Sequence, residues 1–208
     1  TSDIANALEP VAPPTQKGIF AFGNVQPNGV SMSNLVNSSG VIAADVTGVG
    51  TARFQLGAAT YGGDKAIFAY GTTTGGSYLS VSNLVSNSGV VAADTTGVGT
   101  GRYNLGAAKY GVGLAIMAFG HDGSSVANYK NLINSSGVVA SDASSTGHAR
   151  SRISAVGYGT DKAIFFGGHS ATYSSGTTIS NLCSNTGVVA SDTANSSGVT
   201  ARYELAGT

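Results

Sequence analysis

Residues 83–111 read NLVSNSGVVAADTTGVGTGRYNLGAAKYG, and shortly before them residues 62–71 read GGDKAIFAYG. Four versions of this pattern fill most of the 208-residue chain. Its most constant part is an Asn-Leu pair, found at Asn34-Leu35, Asn83-Leu84, Asn131-Leu132 and Asn181-Leu182. Self-similarity at a fixed step of this size is typical of repeat proteins, so the repeat is the main guide to the fold.

Each copy contains four short runs with the composition of β-strands. In the second copy these are residues 65–71, 78–85, 90–93 and 102–110, with a Ser-Asn-Ser-Gly turn between the second run and the third. Asn and Gly tolerate the positive φ angles of tight turns. No segment of ten or more residues has caps and an apolar stripe of helical period, so the sequence predicts an all-β fold.

Four strands in 48 to 50 residues, repeated four times, predict a β-propeller of four four-stranded blades. The propeller spans residues 17–208, with blades at about 17–64, 65–113, 114–161 and 162–208. A β-solenoid is the alternative, but its coils usually repeat at shorter periods. Residues 1–16 carry three prolines and belong to no copy; we interpret them as an extended spacer or anchor, with a frayed terminus as the alternative.

Composition argues against several classes of partner. Lys+Arg and Asp+Glu both number 10, and no basic run exists that would neutralise a file of phosphates, so we expect no nucleic acid. The longest strongly apolar stretch is far below the roughly 18 residues that cross a bilayer, so we expect no membrane span. Cys183 is the one cysteine, which excludes an internal disulfide.

An arginine and an aspartate recur in every copy, and residues that serve every copy are expected to belong to the frame. We therefore predict structural ion pairs or turn-capping bonds, within or between blades, because the arginine fork satisfies several acceptors at once. The residues are Arg53, Arg102, Arg150, Arg202, Asp45, Asp94, Asp142 and Asp192. A metal ring of the four aspartates is the alternative, but one carboxylate per copy lacks the clustered oxygens that Ca²⁺ prefers, so we expect no metal and no cofactor.

The connections between the first and second strands vary most between copies, and His121 and His169 open two of them at the same repeat position. Equivalent connections emerge on one face of a propeller, so their aromatic and polar side chains define a candidate ligand-binding face. Its residues are Tyr78, His121, Asp122, Tyr129, His169 and Tyr173. The alternative is that these are tolerant surface loops.

The sequence gives no constellation for catalysis. It has no G-x-S-x-G elbow, no His-x-x-x-His pair and no phosphate loop, so we predict that the protein is not an enzyme. Cys183 aligns with Val36, Val85 and Ile133, which predicts a small buried apolar side chain at this position. His148 has no second ligand at metal-binding spacing and is predicted to lie at the surface.

The strand ending in glycine, the following arginine and the Gly-Ala-Ala-x-Tyr-Gly run resemble kelch-type propeller repeats. The chain departs from the kelch pattern in having a Gly-Gly pair after that strand only at Gly167-Gly168 and no tryptophan. The stretches quoted first are more similar to kelch-like repeats in structural proteins of tailed bacteriophages, over Lys17 to Leu205.

This resemblance implies a structural protein of the phage particle, as a tail fibre, a tail appendage or a head decoration, assembled in the cytoplasm of the host bacterium. It further implies a homo-oligomer that contacts other virion proteins, for which residues 1–16 are our candidate segment, and attachment to a host surface glycan or protein through the loop face. A propeller lectin that acts alone is the first alternative, and an intracellular kelch-like adaptor is the second.

Overall fold

The computed structural model describes residues 18–195 and 197–207, and this part of the chain contains strands and no helix. The all-β prediction is confirmed. The interpretation of residues 1–16 as a spacer or anchor lies outside the described residues. The strands are β1 (Gly18–Val25), β2 (Asn28–Val36), β3 (Gly57–Tyr61), β4 (Lys65–Ala69), β5 (Ser82–Val85), β6 (Gly106–Tyr110), β7 (Leu114–Ala118), β8 (Tyr129–Ile133), β9 (Ala143–Ser144), β10 (Ser154–Tyr158), β11 (Lys162–Phe166) and β12 (Ser180–Cys183).

The strands form four small antiparallel sheets, numbered here in chain order. Their strand orders are β1-β2, β3-β4-β5, β6-β7-β8-β9 and β10-β11-β12. The second to fourth sheets share one register, in which Gly57 pairs with Ala69, Gly106 with Ala118 and Ser154 with Phe166. The repeat in sequence is therefore a repeat of hydrogen-bonded sheets.

Each of these three sheets combines strands from two consecutive sequence copies. In the second sheet, β3 ends the first copy and β4 begins the second, joined by a hairpin in which Gly62 and Gly63 have φ angles of 60° and 89°. Side chains beyond Cβ disfavour such angles, which accounts for the glycines at this turn. The sheets are thus offset by one strand from the sequence copies.

The prediction of four four-stranded blades differs from the structure, since the described residues form sheets of two, three, four and three strands. The third predicted run of the copy accounts for this difference in the second sheet. The expected strand over residues 90–93 is reduced to an isolated bridge between Val85 and Val91. The Asn83 side-chain amide donates to the Ala92 carbonyl at 2.9 Å, where a continuing ladder would place a backbone donor. Side-chain hydrogen bonding replaces regular pairing here.

Apolar side chains are buried between successive sheets. Phe22 and Phe68 meet between the first and second sheets, Tyr70 and Met117 belong to the cluster between the second and third, and Phe119 and Phe165 to that between the third and fourth. Because a central strand such as β7 packs on both faces, it is apolar along its whole length. The strongest contacts between sheets, β3 with β6 and β6 with β10, follow the order of the chain.

A backbone ladder also joins the copies along the stack. The amide of Asn104 donates to the carbonyl of Gln55 at 2.9 Å, that of Arg152 to Asn104 at 2.8 Å, and that of Glu204 to Arg152 at 2.9 Å. All four residues have φ angles of 54° or 55°, a left-handed conformation that costs about 1 kcal/mol or more for a residue other than glycine. The interlocked stack holds them in it.

Candidate functional site

The recurring arginines Arg53, Arg102 and Arg150 are completely buried. For Arg102, Nε donates to the Phe119 carbonyl at 2.9 Å, and Nη1 donates to the Thr100 carbonyl at 3.2 Å. Nη2 donates to Asn131 Oδ1 at 2.6 Å. The same donors meet equivalent acceptors around Arg53 and Arg150.

These contacts run from one copy to the next. Arg102 belongs to the second copy, whereas Asn131 and Asp142 belong to the third, and the Arg102 Nη1 to Asp142 Oδ1 distance is 3.7 Å. The corresponding distances from Arg53 to Asp94 and from Arg150 to Asp192 are both 3.8 Å. Each arginine is therefore part of the contact between consecutive copies.

An aromatic residue in a left-handed conformation completes each contact. Tyr70, with φ of 65°, accepts the Nε hydrogen bond of Arg53 on its carbonyl and places its ring 4.2 Å from the guanidinium of Arg102. Phe119, with φ of 64°, stands in the same relation to Arg102 and Arg150. Because the turned backbone directs the carbonyl to one arginine and the ring to the next, consecutive contacts are linked.

Burial and hydrogen bonding perturb the charges at these contacts. Desolvation lowers the pKa of Arg53 to about 10, against which the charge of Asp94 acts, so the guanidinium stays protonated at neutral pH. Burial alone would raise the pKa of the Asp94 carboxyl, but the opposing effects are larger and the pKa is lowered. Those effects are hydrogen bonds from Thr51 and Asn83 and the charge of Arg53.

The first aspartate and the last arginine are placed differently from the others. Asp45 accepts from Asn34 Nδ2 at 2.8 Å in its own copy, as the other aspartates do from their asparagines, but no arginine of the described residues lies within ion-pair distance of it. Arg202 is exposed, with its guanidinium 5.2 Å from the Phe166 ring and one hydrogen bond within the described residues, from Nη1 to the Thr200 carbonyl at 3.4 Å. Three contacts of this type are thus formed among the four copies.

Four of the six candidate loop residues lie in one cluster. Tyr78 stacks on Tyr103 with ring centroids 5.2 Å apart, and Tyr103 is 5.4 Å from the ring of His121. Asp122 accepts a hydrogen bond from the Tyr129 hydroxyl at 3.0 Å and two more from the Ser124 and Ser125 amides. The cluster joins an open aromatic surface, with Tyr78 42% exposed, to a hydrogen-bonded loop.

The other two candidate residues contact different rings. Tyr173 is 5.0 Å from the ring of His148, and His169 is 5.6 Å from the ring of Tyr203. Both are partly buried. The contacts therefore divide the candidate face into the cluster of Tyr78, His121, Asp122 and Tyr129 and two separate edge-to-face pairs.

Sequence reasoning missed two parts of this arrangement. Tyr103 lies between Tyr78 and His121 and is absent from the predicted face, although alternation within its predicted strand is a signal for a surface position. Asn83, Asn131 and Asn181 accept the arginine hydrogen bonds. Their recurrence in the Asn-Leu pairs was the available signal.

The described residues hold no group of three or more His, Cys, Asp or Glu side chains placed to bind a metal ion. Cys183 is fully buried, and desolvation raises the pKa of its thiol to about 11. A cleft of about 800 Å³ lies between the first and second sheets, lined by residues that include Ile19, Leu35 and Lys65 and none of the six candidate loop residues.

Comparison with known proteins gives no matching protein-family model and no match to a curated protein sequence. Over residues 18–195 and 197–207 there is also no helix with the length and hydropathy needed to span a membrane.

Proposed function

We propose that the protein is a non-enzymatic structural component of a tailed-phage particle: a tail fibre, a tail appendage or a head decoration. Its location is then the virion, after assembly in the bacterial cytoplasm. The observation that carries the structural role is the use of Arg53, Arg102 and Arg150, with their asparagine and aspartate partners, as buried links between copies. The phage setting rests on the resemblance of the repeat pattern, in sequence alone, to kelch-like repeats of such proteins.

The sheets are, in this proposal, blades of a β-propeller. Small antiparallel sheets that follow one another in the chain and bury apolar side chains between their faces are the building units of that architecture. The strand offset also supports it, because sheets built from two consecutive copies bind those copies together. Rigidity of this kind suits a component that withstands mechanical and proteolytic stress outside a cell.

Mass spectrometry of purified particles tests the proposal. Particles of the phage that encodes the chain would be banded by density and digested, with a replication enzyme of the same phage as the control for contamination. We expect peptides of the chain at a fixed ratio to the major capsid protein and none from the enzyme. Finding the chain in the lysate but not in intact particles would overturn the structural role in the virion.

A propeller lectin is the second candidate, and the cluster of Tyr78, Tyr103, His121, Asp122 and Tyr129 favours it. An exposed stacked aromatic pair beside a carboxylate offers the apolar surface and the hydrogen-bond acceptor that sugar rings need. In this reading the free protein is retained on an immobilised glycan and eluted by competing sugar, and Tyr78→Ala abolishes retention. Unchanged retention of Val112→Ala and loss of retention with Tyr78→Ala would favour the lectin, since Val112 is 91% exposed and lies outside the cluster.

A further inference from the structure

The first sheet presents a face that is exposed although the equivalent face of every later sheet is buried. We call Phe20, Asn34, Gly40, Ile42 and Asp45 the leading face. Phe20 is 61% exposed, whereas the residues at its position in the later copies, Phe68, Met117 and Phe165, are 6%, 0% and 0% exposed. Those three are buried because the preceding sheet packs against them.

Gly40 shows the same difference. Its equivalents Gly89 and Gly187 lie against leucine side chains of the preceding copy, Leu35 and Leu132, so closely that a Cβ atom would collide with them. A Cβ atom on Gly40 would meet nothing within 4 Å. The leading face thus has the glycine on which a leucine packs in later copies, but no leucine of the described residues packs on Gly40.

The fourth sheet presents the complementary face. We call Tyr158, Leu182 and Arg202 the trailing face. Tyr158 is 40% exposed, whereas its equivalents Tyr61 and Tyr110 are each 3% exposed because the next sheet covers them. Leu182, the equivalent of the leucines that pack on Gly89 and Gly187, is 42% exposed.

The charges of the two faces also match. Arg202 is the exposed equivalent of three arginines that each bind an asparagine and lie near an aspartate of the following copy. Asn34 and exposed Asp45 are the equivalents of those acceptors. The two faces therefore carry matching partners for the contacts that join the copies. Leu182 can pack on Gly40, Tyr158 can pack on the turn beside it, and Arg202 can pair with Asp45.

We propose that the trailing face of one chain docks on the leading face of a second copy of the same chain, head to tail, repeating the contact that already joins its four copies. Both faces are exposed in a single chain, which favours a second copy over pairing of the two ends of one chain. A propeller built from these sheets is then completed by a second copy. Such a heterologous contact builds a closed ring when its rotation closes and a longer assembly when it does not. The partner in the structural role proposed above is then a second copy of this chain. Only the location of this contact in the phage particle rests on the proposed function.

Native mass spectrometry and light scattering of the 208-residue chain test this docking. We expect a mass of at least twice the 20.5 kDa of one chain. Phe20→Asp on the leading face and Leu182→Asp on the trailing face should each give single chains, because each raises the dissociation constant of the contact by about tenfold or more. Val112→Asp is the matched control, because Val112 is 91% exposed and lies on neither face, and it should leave the assembly intact.

Mixing the two variants makes the test independent of their individual behaviour. Phe20→Asp retains a trailing face and Leu182→Asp retains a leading face, so the mixture should form a complex of one chain of each. Single chains for the unmutated protein, or assemblies that survive both substitutions, would overturn the proposal. Absence of the chain from phage particles would instead overturn the proposed function and leave the solution assembly as measured.

Discussion

Replacing Arg102 by alanine should destabilise the protein far more than replacing an exposed arginine. The Arg102 side chain is fully buried, and its removal leaves Asn131 Oδ1 and the Phe119 carbonyl without their donors at 2.6 and 2.9 Å. An unsatisfied buried acceptor costs about 1–3 kcal/mol. Loss of the contact with the Tyr70 ring adds about 1–2 kcal/mol, so we expect a total of about 4 kcal/mol.

Arg152→Ala is the control for this prediction. The Arg152 side chain is 41% exposed and its partner Glu204 is 60% exposed, at 3.3 Å. Exposed pairs of this kind contribute at most about 1 kcal/mol. Arg102→Lys keeps the charge but loses the planar fork, so it should cost less than the alanine variant and more than Arg152→Ala.

Urea unfolding followed by circular dichroism measures these differences as shifts in the transition midpoint at constant slope. If Arg102→Ala is too unstable to purify, the lysine variant gives the comparison. Costs for both Arg102 variants no greater than that of Arg152→Ala would refute the assignment of Arg102 as a buried link between copies.

Three further predictions concern charge, packing and reactivity. Because the pKa values of Asp94 and Asp142 are lowered in the folded protein, these carboxylates stabilise it fully above their unfolded pKa of about 4 and lose this effect as pH falls through the folded values. Urea unfolding from pH 7 to pH 2 should therefore show a falling free energy of unfolding, with a smaller fall in Asp142→Asn. The same fall in both proteins would contradict the role of the Asp142 carboxylate. A Cβ atom on Gly106 would lie 2.8 Å from Phe165 Cδ1, so Gly106→Val should lower the free energy of urea unfolding by about 2–3 kcal/mol. Gly75→Ala should leave it unchanged, because the nearest atom to that Cβ is 3.8 Å away. Equal costs for the two variants would count against close packing of the third sheet on the fourth. Buried Cys183, with its raised thiol pKa, should react with a disulfide reagent at pH 8 at least about 100-fold faster in urea than in the native state, and rapid native labelling would contradict its burial.

The repeat made the strands and the buried apolar positions predictable. Alignment of Cys183 with Val36, Val85 and Ile133 predicted a small buried side chain, and Cys183 is fully buried. Aligned copies report what a position tolerates, so burial common to the copies is visible in one sequence. The offset of the sheets was not visible, because the repeat has the same period wherever its boundary is drawn.

Local side-chain hydrogen bonds account for what the sequence could not predict. The run over residues 90–93 has β-forming composition, but Asn83 takes the Ala92 carbonyl and the regular ladder does not continue. Tyr70 and Phe119 adopt left-handed angles that their residue types disfavour, because the arginine contacts hold them there. Tertiary contacts overrode local propensity at these positions.

Part of the candidate loop face was predictable, because residues in variable connections stand out when the copies are compared. His121 and Asp122 stand out because they occur in a variable connection, but Tyr103 lies in a repeated strand and carries no such mark. Which aromatic side chains stack depends on the distances between their rings in the folded chain. A single sequence does not give those distances.

A double-mutant cycle between Arg102 and Asn131 tests the central claim most directly, because these residues belong to consecutive copies and form a buried hydrogen bond. Urea unfolding of the chain with Arg102→Met, Asn131→Leu and both substitutions gives their coupling free energy. We expect a coupling of about 1.5 kcal/mol or more, since each single change leaves the other member of this pair buried without its partner and the double change removes both members. The Phe119 carbonyl loses its Arg102 donor with or without Asn131→Leu, so that cost cancels in the cycle. Additive costs, with a coupling within about 0.3 kcal/mol of zero, would contradict the claim that the recurring arginines hold one copy to the next.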